Sequence, residues 1–169
     1  LLGIHHDKVS VLIGDTATIG YSNLTGGSRV LFASAMVVTE SAKIVIKQLK
    51  QRAAKIWGID EEAIEWENGE AKPAGDNAGK FAPLTLAELA EKATATGGPI
   101  GAGYQVNTEG AEGGFATHIC DVEVDMDLGI VRVKRYTSIQ DVGKAIHPDY
   151  VEGQLHGCLL YTSDAADEW

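Results

Sequence analysis

The chain has 169 residues, 44% of them hydrophobic, and a formal net charge of -10 at pH 7. This length and apolar content suffice for one ordinary hydrophobic core, so a single domain is expected. The acidic charge argues against nucleic acid as a partner, because proteins that bind nucleic acid cluster cations against the phosphates. The longest apolar run is about half of the roughly 20 residues that a membrane span needs, so no membrane partner is expected.

The two cysteines, Cys120 and Cys158, lack the spacings of a disulfide scaffold or a zinc site. A reducing compartment is therefore expected, and the predicted location is the cytoplasm, with the periplasm as the alternative. His118 lies two residues from Cys120, but no second pair completes a metal site with them. Both are expected to lie in or near the core.

The N-terminal part of the chain predicts a strand followed by a long helix. From Lys8 to Asp15, apolar and polar residues alternate before the sequence becomes fully apolar, which favours a strand. Thr16 follows the end of this predicted strand. From Ser28 to Gly58 apolar residues recur every three or four positions, which predicts one helix about 40 Å long. Its first half is apolar on nearly all sides and is expected to be buried. Its second half carries five cations that are expected to face solvent: Lys43, Lys47, Lys50, Arg52 and Lys55.

Turn and helix-capping motifs predict the secondary structure that follows Gly58. Asn68-Gly69 separates two alternating segments and predicts a β-hairpin, because both central residues of the favoured turn need positive φ. Thr85 with Glu88 three residues later forms a capping-box pattern, which predicts a short helix ending at Gly97-Gly98. A strand and an exposed loop are expected within residues 101–114.

The C-terminal part predicts an antiparallel hairpin and a further helix. Two strands are expected on either side of the turn Asp127-Leu128-Gly129, and a helix near Asp149. Glu123, Asp125 and Asp127 resemble calcium ligands only superficially, since the glycine is misplaced for an EF-hand loop and Lys134 stands in place of its last acid. A solvated strand face accounts for these acids.

The loop Thr25 to Arg29, "TGGSR", is the strongest candidate for a binding site. A helix start carries unpaired N–H groups and about half a positive charge, which together stabilise an anion. Gly26 and Gly27 lack the Cβ that would hold a ligand away, and Arg29 adds a cationic fork. On these residues alone, a plain helix cap is the favoured explanation of the pattern.

Two adjacent histidines, His5 and His6, precede the first predicted strand. Neighbouring residues of a strand point to opposite faces, so the pair is not expected to share a metal ion. An exposed turn before the strand accounts for both residues.

Three stretches in order resemble the molybdenum-binding subunit of the xanthine dehydrogenase and aldehyde oxidase family. They are "VSVLIGDTATIGYSNLTGGSRVLFASAMVV", "GGFATHICDVEVDMDLGIVRVKRYTSIQDVGKAIHP" and "VEGQLHG". The likeness covers nearly all of residues 1–157. One departure is His147, which stands where asparagine is more usual in the family and makes a specific role at that position doubtful.

The resemblance implies a reaction and a cofactor. Members of the family hydroxylate an aldehyde or an N-heterocycle with oxygen from water, at a molybdenum held by molybdopterin that often carries a nucleotide. In the family the TGGSR loop lies against this cofactor, so Thr25, Gly26, Gly27, Ser28 and Arg29 are the implied cofactor contacts, with Gly27 nearest the metal. No residue of this chain is implied as a metal ligand.

The resemblance also implies what the chain does not itself contain. The catalytic glutamate of the family lies beyond "GQLHG", so no catalytic residue is assigned here and the polypeptide alone is expected to be inactive. Partner subunits or domains that carry iron–sulfur clusters and FAD are implied, with a hetero-oligomer as the intact enzyme. The substrate is expected to be a small molecule.

The last residues, 158–169, include "CLLYTSDAADE", which matches the conceptual translation of a widely used sequencing adapter. Residues 1–157 are therefore expected to be a fragment of a molybdopterin-binding domain, and 158–169 adapter read-through. The predicted fold is α+β, a mixed β-sheet covered by one long and one short helix. Two other functions stay open on residue patterns alone: a non-catalytic acidic binding module, and a phosphate- or nucleotide-binding domain.

Overall fold

The structure is a computed structural model that describes residues 1–22, 24–27, 29–108 and 113–163. The chain forms two compact units, Leu1–Glu109 and Gly110–Trp169. The helices are α1 (Arg29–Trp57), α2 (Leu86–Glu91), α3 (Ala93–Thr96) and α4 (Pro148–Ser163). The strands are β1 (Ile64–Glu67), β2 (Glu70–Pro73), β3 (Leu84–Thr85), β4 (Ala116–Asp125) and β5 (Ile130–Gln140). This composition confirms the α+β class.

The β-structure is not the predicted mixed sheet. It consists of a three-stranded sheet in the order β1-β2-β3 and a separate two-stranded sheet β4-β5. Every strand pair is antiparallel. The reason is the connections: turns and a short loop join these strands, whereas a parallel pair needs a crossover of a dozen or more residues.

The core of the first unit lies between the C-terminal half of α1 and the three-stranded sheet. Leu49 and Ala53 from α1 are fully buried, as are Ile64 from β1 and Leu89 from α2. Asn68 and Gly69 have φ of 53° and 85°, which confirms the predicted hairpin turn. The capping box is also confirmed, since Thr85 and Glu88 bond each other's backbone N–H groups. These bonds from Thr85 hold the pKa of the Glu88 carboxyl below its usual value.

Helix α1 is about 43 Å long at 1.5 Å per residue. It ends as predicted at Gly58, whose φ is 67° and whose N–H donates to the Ala54 carbonyl. The expectation that its first half is buried was wrong, because the core formed by the described residues of this unit lies against the second half of the helix. The large apolar side chains exposed on that half are Val30, Leu31, Phe32, Met36 and Val38. None of the helices in the described ranges is long and apolar enough to cross a bilayer.

The predicted strand over residues 8–15 is absent. A single turn of 3₁₀ helix occupies His6–Lys8, and the segment that follows is irregular, with Val11 and Ile13 exposed. The strand predicted within 101–114 is likewise absent from 101–108, 113 and 114. In both places the local pattern was compatible with a strand, but a strand also needs a partner, and no described segment pairs with either one.

All five cations on α1 were predicted to face solvent, but two of them bond to backbone carbonyls of the same unit. Arg52 donates to the Gly98 carbonyl at 3.3 Å, and Lys55 donates to the Thr96 carbonyl at 3.0 Å. Gln48, one turn earlier, donates to the Gly101 carbonyl at 2.8 Å. Cations at the end of a helix satisfy its last carbonyls and oppose its dipole. These side chains therefore fix the end of α3 and the loop after it against α1.

We expect Gly97→Ala to destabilise the first unit more than Gly98→Ala. Both glycines have positive φ, 138° and 88°, so alanine is strained at either position. A Cβ at Gly97 would lie 1.7 Å from Arg52 Nη1, whereas the space at Gly98 is open. Arg52 must then move and lose its bond, which adds about 1–2 kcal/mol. Urea unfolding of the two variants measures this difference, and equal costs would show that the Arg52 contact contributes nothing.

In the second unit, β4 and β5 form a hairpin with a register shift between Asp121 and Val122. The predicted turn is confirmed, with Gly129 at a φ of 68°. His118 and Cys120 are exposed, not near the core as predicted, because no described residue of this unit covers strand β4, all of whose residues are exposed. Helix α4 confirms the helix predicted near Asp149, and it includes the first residues of the stretch predicted to be adapter read-through.

Candidate functional site

The candidate site is the loop immediately before α1. Thr25, Gly26 and Gly27 are exposed residues of this loop, and Arg29 is the first residue of the helix. Ser28, the fifth predicted contact, lies outside the described residues. The predicted residues are therefore adjacent at the positive end of a 29-residue helix.

Glycine is required at Gly27 by its backbone conformation. Its φ is 60°, in the left-handed region where other residues are strained, and apart from its chain neighbours no described atom lies within 4 Å of the place where a Cβ would be. At Gly26 a Cβ would approach Leu24 Cδ1 to 2.9 Å. The loop therefore presents bare backbone toward open space beside Gly27.

The polar groups of the loop are largely available to a ligand. The Arg29 N–H donates to the Gly26 carbonyl at 3.2 Å, which closes the turn. The N–H groups of Gly26 and Gly27 donate to no group in the described part of the chain. Arg29 is half-buried, and its guanidinium forms no ion pair with any described residue. Two free amides, one guanidinium and the helix dipole together suit an anionic group.

The motif Gly14 to Thr16 uses its carboxylate internally. Asp15 accepts hydrogen bonds from the Ala17 N–H and the Thr18 hydroxyl, both at 2.9 Å. These bonds hold the pKa of Asp15 below its usual value. The prediction that a strand ends at Asp15 was wrong, because no strand forms there and the Asp15 carboxylate closes a turn instead.

His147 has a structural role that the sequence analysis missed. Its Nδ1 accepts from the Tyr150 N–H at 3.3 Å, and its ring stacks on Tyr150 with centroids 4.0 Å apart. His147 precedes Pro148, the first residue of α4, so it occupies the capping position that asparagine also favours. The sequence feature that could have revealed this capping role is Pro148, because proline is common at the first position of a helix.

The remaining polar candidates of the second unit are engaged or exposed. Glu123 pairs with Lys134 across the hairpin, and Asp125 Oδ1 accepts the N–H groups of Asp127 and Leu128 at 3.0 Å each. Gln154 is exposed on α4. These contacts agree with a solvated strand face and a helix surface.

Comparison with known proteins identifies the ligand class that this family holds. A family model described as a molybdopterin cofactor-binding domain matches residues 1–161. The carbon monoxide dehydrogenase large chain of Hydrogenophaga pseudoflava is 28% identical over 173 residues, covering 94% of this chain and 20% of the relative. The nicotine 6-hydroxylase large subunit of Paenarthrobacter nicotinovorans is 27% identical over 168 residues, covering 95% and 20%.

Comparison with solved structures finds a similar fold in a protein of the same kind as the first relative. A crystal structure of the Cu,Mo-CO dehydrogenase in its carbon monoxide reduced state superposes with a TM-score of 0.70 at 24% identity, covering 86% of this chain and 19% of that chain. The chain thus spans about a fifth of the length of the relatives it matches. Since the family match extends over nearly the whole sequence, the chain belongs to the family of molybdopterin cofactor-binding domains.

Proposed function

We propose that this chain is part of the cofactor-binding portion of a molybdenum hydroxylase and that its loop 25–29 contacts the molybdopterin cofactor. The observation that carries the proposal is the pair of glycine amides, at Gly26 and Gly27, which donate to no described group at the start of α1. They lie within the region matched by the molybdopterin-binding family. A cofactor that bears phosphate and metal-bound oxygen is anionic, and such amides stabilise anions.

The local geometry fits such a group. The space beside Gly27 is open where a side chain would block it, and the amide of a residue at φ 60° can face that space. Arg29 supplies a guanidinium with no competing ion pair among the described residues, so its five donors remain for oxygen ligands. In this proposal Gly26 and Gly27 hold the cofactor through backbone N–H groups and Arg29 orients it.

When bound, molybdenum supplies the Lewis acid and the two-electron redox centre of a hydroxylation. The chain's own contribution is positional: the start of α1 holds the donors of the loop toward the cofactor, which lowers the reorganisation needed on binding. This chain provides no residue that we assign as the general base. We propose that the base belongs to another part of the intact enzyme.

The proposed substrate class is an aldehyde or an N-heterocycle, oxidised with oxygen from water. The similarity to a nicotine 6-hydroxylase supports the heterocycle, since nicotine contains a nitrogen ring. The carbon monoxide dehydrogenase relatives act on a different molecule by name. Oxidation rates of the intact enzyme with a panel of aldehydes, N-heterocycles and carbon monoxide would rank these substrates.

The proposed partners are subunits or domains that carry iron–sulfur clusters and FAD. Two of the relatives are named large chain and large subunit, which implies smaller companions for those proteins. The exposed apolar residues on the first half of α1 support a covered surface in the intact assembly, because large exposed apolar patches mark interaction sites.

The decisive experiment is cofactor analysis of the intact protein. We expect molybdenum by inductively coupled plasma mass spectrometry and, after denaturation, an equimolar fluorescent pterin. A phosphate- or nucleotide-binding domain would instead release nucleotide without molybdenum, and a non-catalytic binding module would release neither. Either of those two results, on protein produced in a host that makes molybdopterin, would overturn the proposal.

A further inference from the structure

A cluster of metal-ligating side chains lies at the start of the chain, separate from loop 25–29. It consists of His5, His6 and Asp7, all exposed, and is called here the His-His-Asp cluster. His5 Nδ1 lies 3.0 Å from Asp7 Oδ2, and His6 Nε2 lies 3.2 Å from Asp7 Oδ1. One ligand atom from each of the three residues lies within 4.8 Å of the others.

The backbone brings these three side chains to one side. The sequence pattern predicted a turn before a strand, and opposite faces for the two histidines. The turn is instead a 3₁₀ helix over His6–Lys8 capped by His5, and no strand follows. The rings of His5 and His6 consequently lie with centroids 4.2 Å apart. In this conformation the two imidazole rings lie on the same side of the backbone, so they can share a metal ion as neighbours on a strand could not.

The segment is held against the β1–β2 hairpin. The Leu2 carbonyl accepts from Trp66 Nε1 at 3.3 Å. Gly3 lies so close to the hairpin turn that a Cβ there would be 2.2 Å from the Gly69 nitrogen. A fixed segment loses less conformational entropy when its side chains are ordered around an ion, so these contacts favour binding.

We propose that the His-His-Asp cluster binds a divalent first-row transition-metal ion, for which zinc is the test probe. Zinc lies roughly 2.0–2.2 Å from nitrogen and oxygen ligands, so two ligands of a tetrahedral site are about 3.3 Å apart. The measured separations of 3.0 and 3.2 Å are close to that value. Imidazole selects zinc, copper or nickel over calcium and magnesium.

In this site His5 Nδ1, His6 Nε2 and the Asp7 carboxylate are the protein ligands, with Oδ2 on the side of His5 and Oδ1 on the side of His6, and water completes the coordination. His5 Nδ1 gives up the hydrogen bond of 3.5 Å that it accepts from the Asp7 N–H, and that N–H turns to solvent. The ion takes the place now filled by the two histidine–aspartate contacts, and any proton shared in those contacts goes to solvent. The proposal does not depend on the proposed molybdopterin function, because it rests only on residues 5–7.

The test is a zinc titration of the full chain against a chromogenic chelator, with His5→Ala, His6→Ala and Asp7→Asn as variants. Each variant is expected to weaken zinc binding by at least about tenfold, since each removes one of three ligands. His156→Ala, an exposed histidine on α4, is the matched control and should leave the affinity unchanged. All four positions are exposed, so circular dichroism should show unaltered folding.

Binding of Cu²⁺ provides a second measurement, because it detects direct coordination by imidazole nitrogen and not merely electrostatic attraction of the ion. Electron paramagnetic resonance of the Cu²⁺-loaded chain should show hyperfine coupling to two imidazole nitrogens, and to one in either histidine variant. Zinc affinity equal in the native chain and all three variants would overturn the proposal. So would zinc binding that is lost in a Cys120→Ser variant, since that result would assign the ion to a thiol.

Discussion

We expect Leu49→Ala to lower the free energy of unfolding of the first unit by about 3 kcal/mol. Leu49 is 2% exposed and packs between α1 and the three-stranded sheet. Removing its side chain loses the transfer free energy of the buried carbons and leaves a cavity, which together cost roughly 2–5 kcal/mol for leucine. Urea unfolding followed by circular dichroism measures the change.

The matched control is Leu31→Ala, which removes the same atoms from the same helix. Leu31 is 59% exposed, so its substitution should cost less than about 1 kcal/mol in this chain. If the two variants were equally destabilised, the first half of α1 would be as well packed as the second. That result would contradict the core described here.

We further expect Gly27→Ala to reduce the molybdenum content of the intact protein about tenfold. The new Cβ enters the open space beside the loop, where the cofactor is proposed to lie, and alanine at a φ of 60° also strains the backbone that positions the Gly27 amide. The measurement is molybdenum and released pterin per mole of purified protein, compared with the unaltered protein prepared in parallel.

Gly58→Ala is the control that separates cofactor binding from stability. Gly58 has a φ of 67°, close to the 60° of Gly27, and its Cβ position is equally open. Alanine therefore causes similar backbone strain at both positions, of roughly 1–2 kcal/mol. Loss of molybdenum in both variants to the same degree would mean that strain is responsible and that the loop has no special contact with the cofactor.

The free amides of the candidate loop show which features of the site can be predicted from the sequence and which cannot. Two glycines before an apolar helix predict exposed N–H groups whether or not a ligand is present, because helix starts always have unpaired donors. The structure adds the φ of Gly27, the open space beside it and the lack of a described partner for either amide. Those three features depend on where the surrounding chain lies, so residue patterns could not supply them.

The sequence by itself determined the local elements. The Asn68-Gly69 turn, the Thr85–Glu88 capping box and the end of α1 at Gly58 each depend on residues a few positions apart. Their geometry follows from backbone sterics and short-range hydrogen bonds, which the residue types specify directly. These features would form in much the same way wherever the rest of the chain packed.

Only the tertiary structure decided which segments found partners. Residues 8–15 alternate like a strand but pair with no described segment, while Arg52 and Lys55 contact carbonyls more than 40 residues away. It likewise placed the segment before His5 against the β1–β2 hairpin, where Leu2 accepts from Trp66 and Gly3 lies beside Gly69. Pairing and packing join residues that are distant along the chain, and their free energy depends on a neighbour's position as well as on residue type.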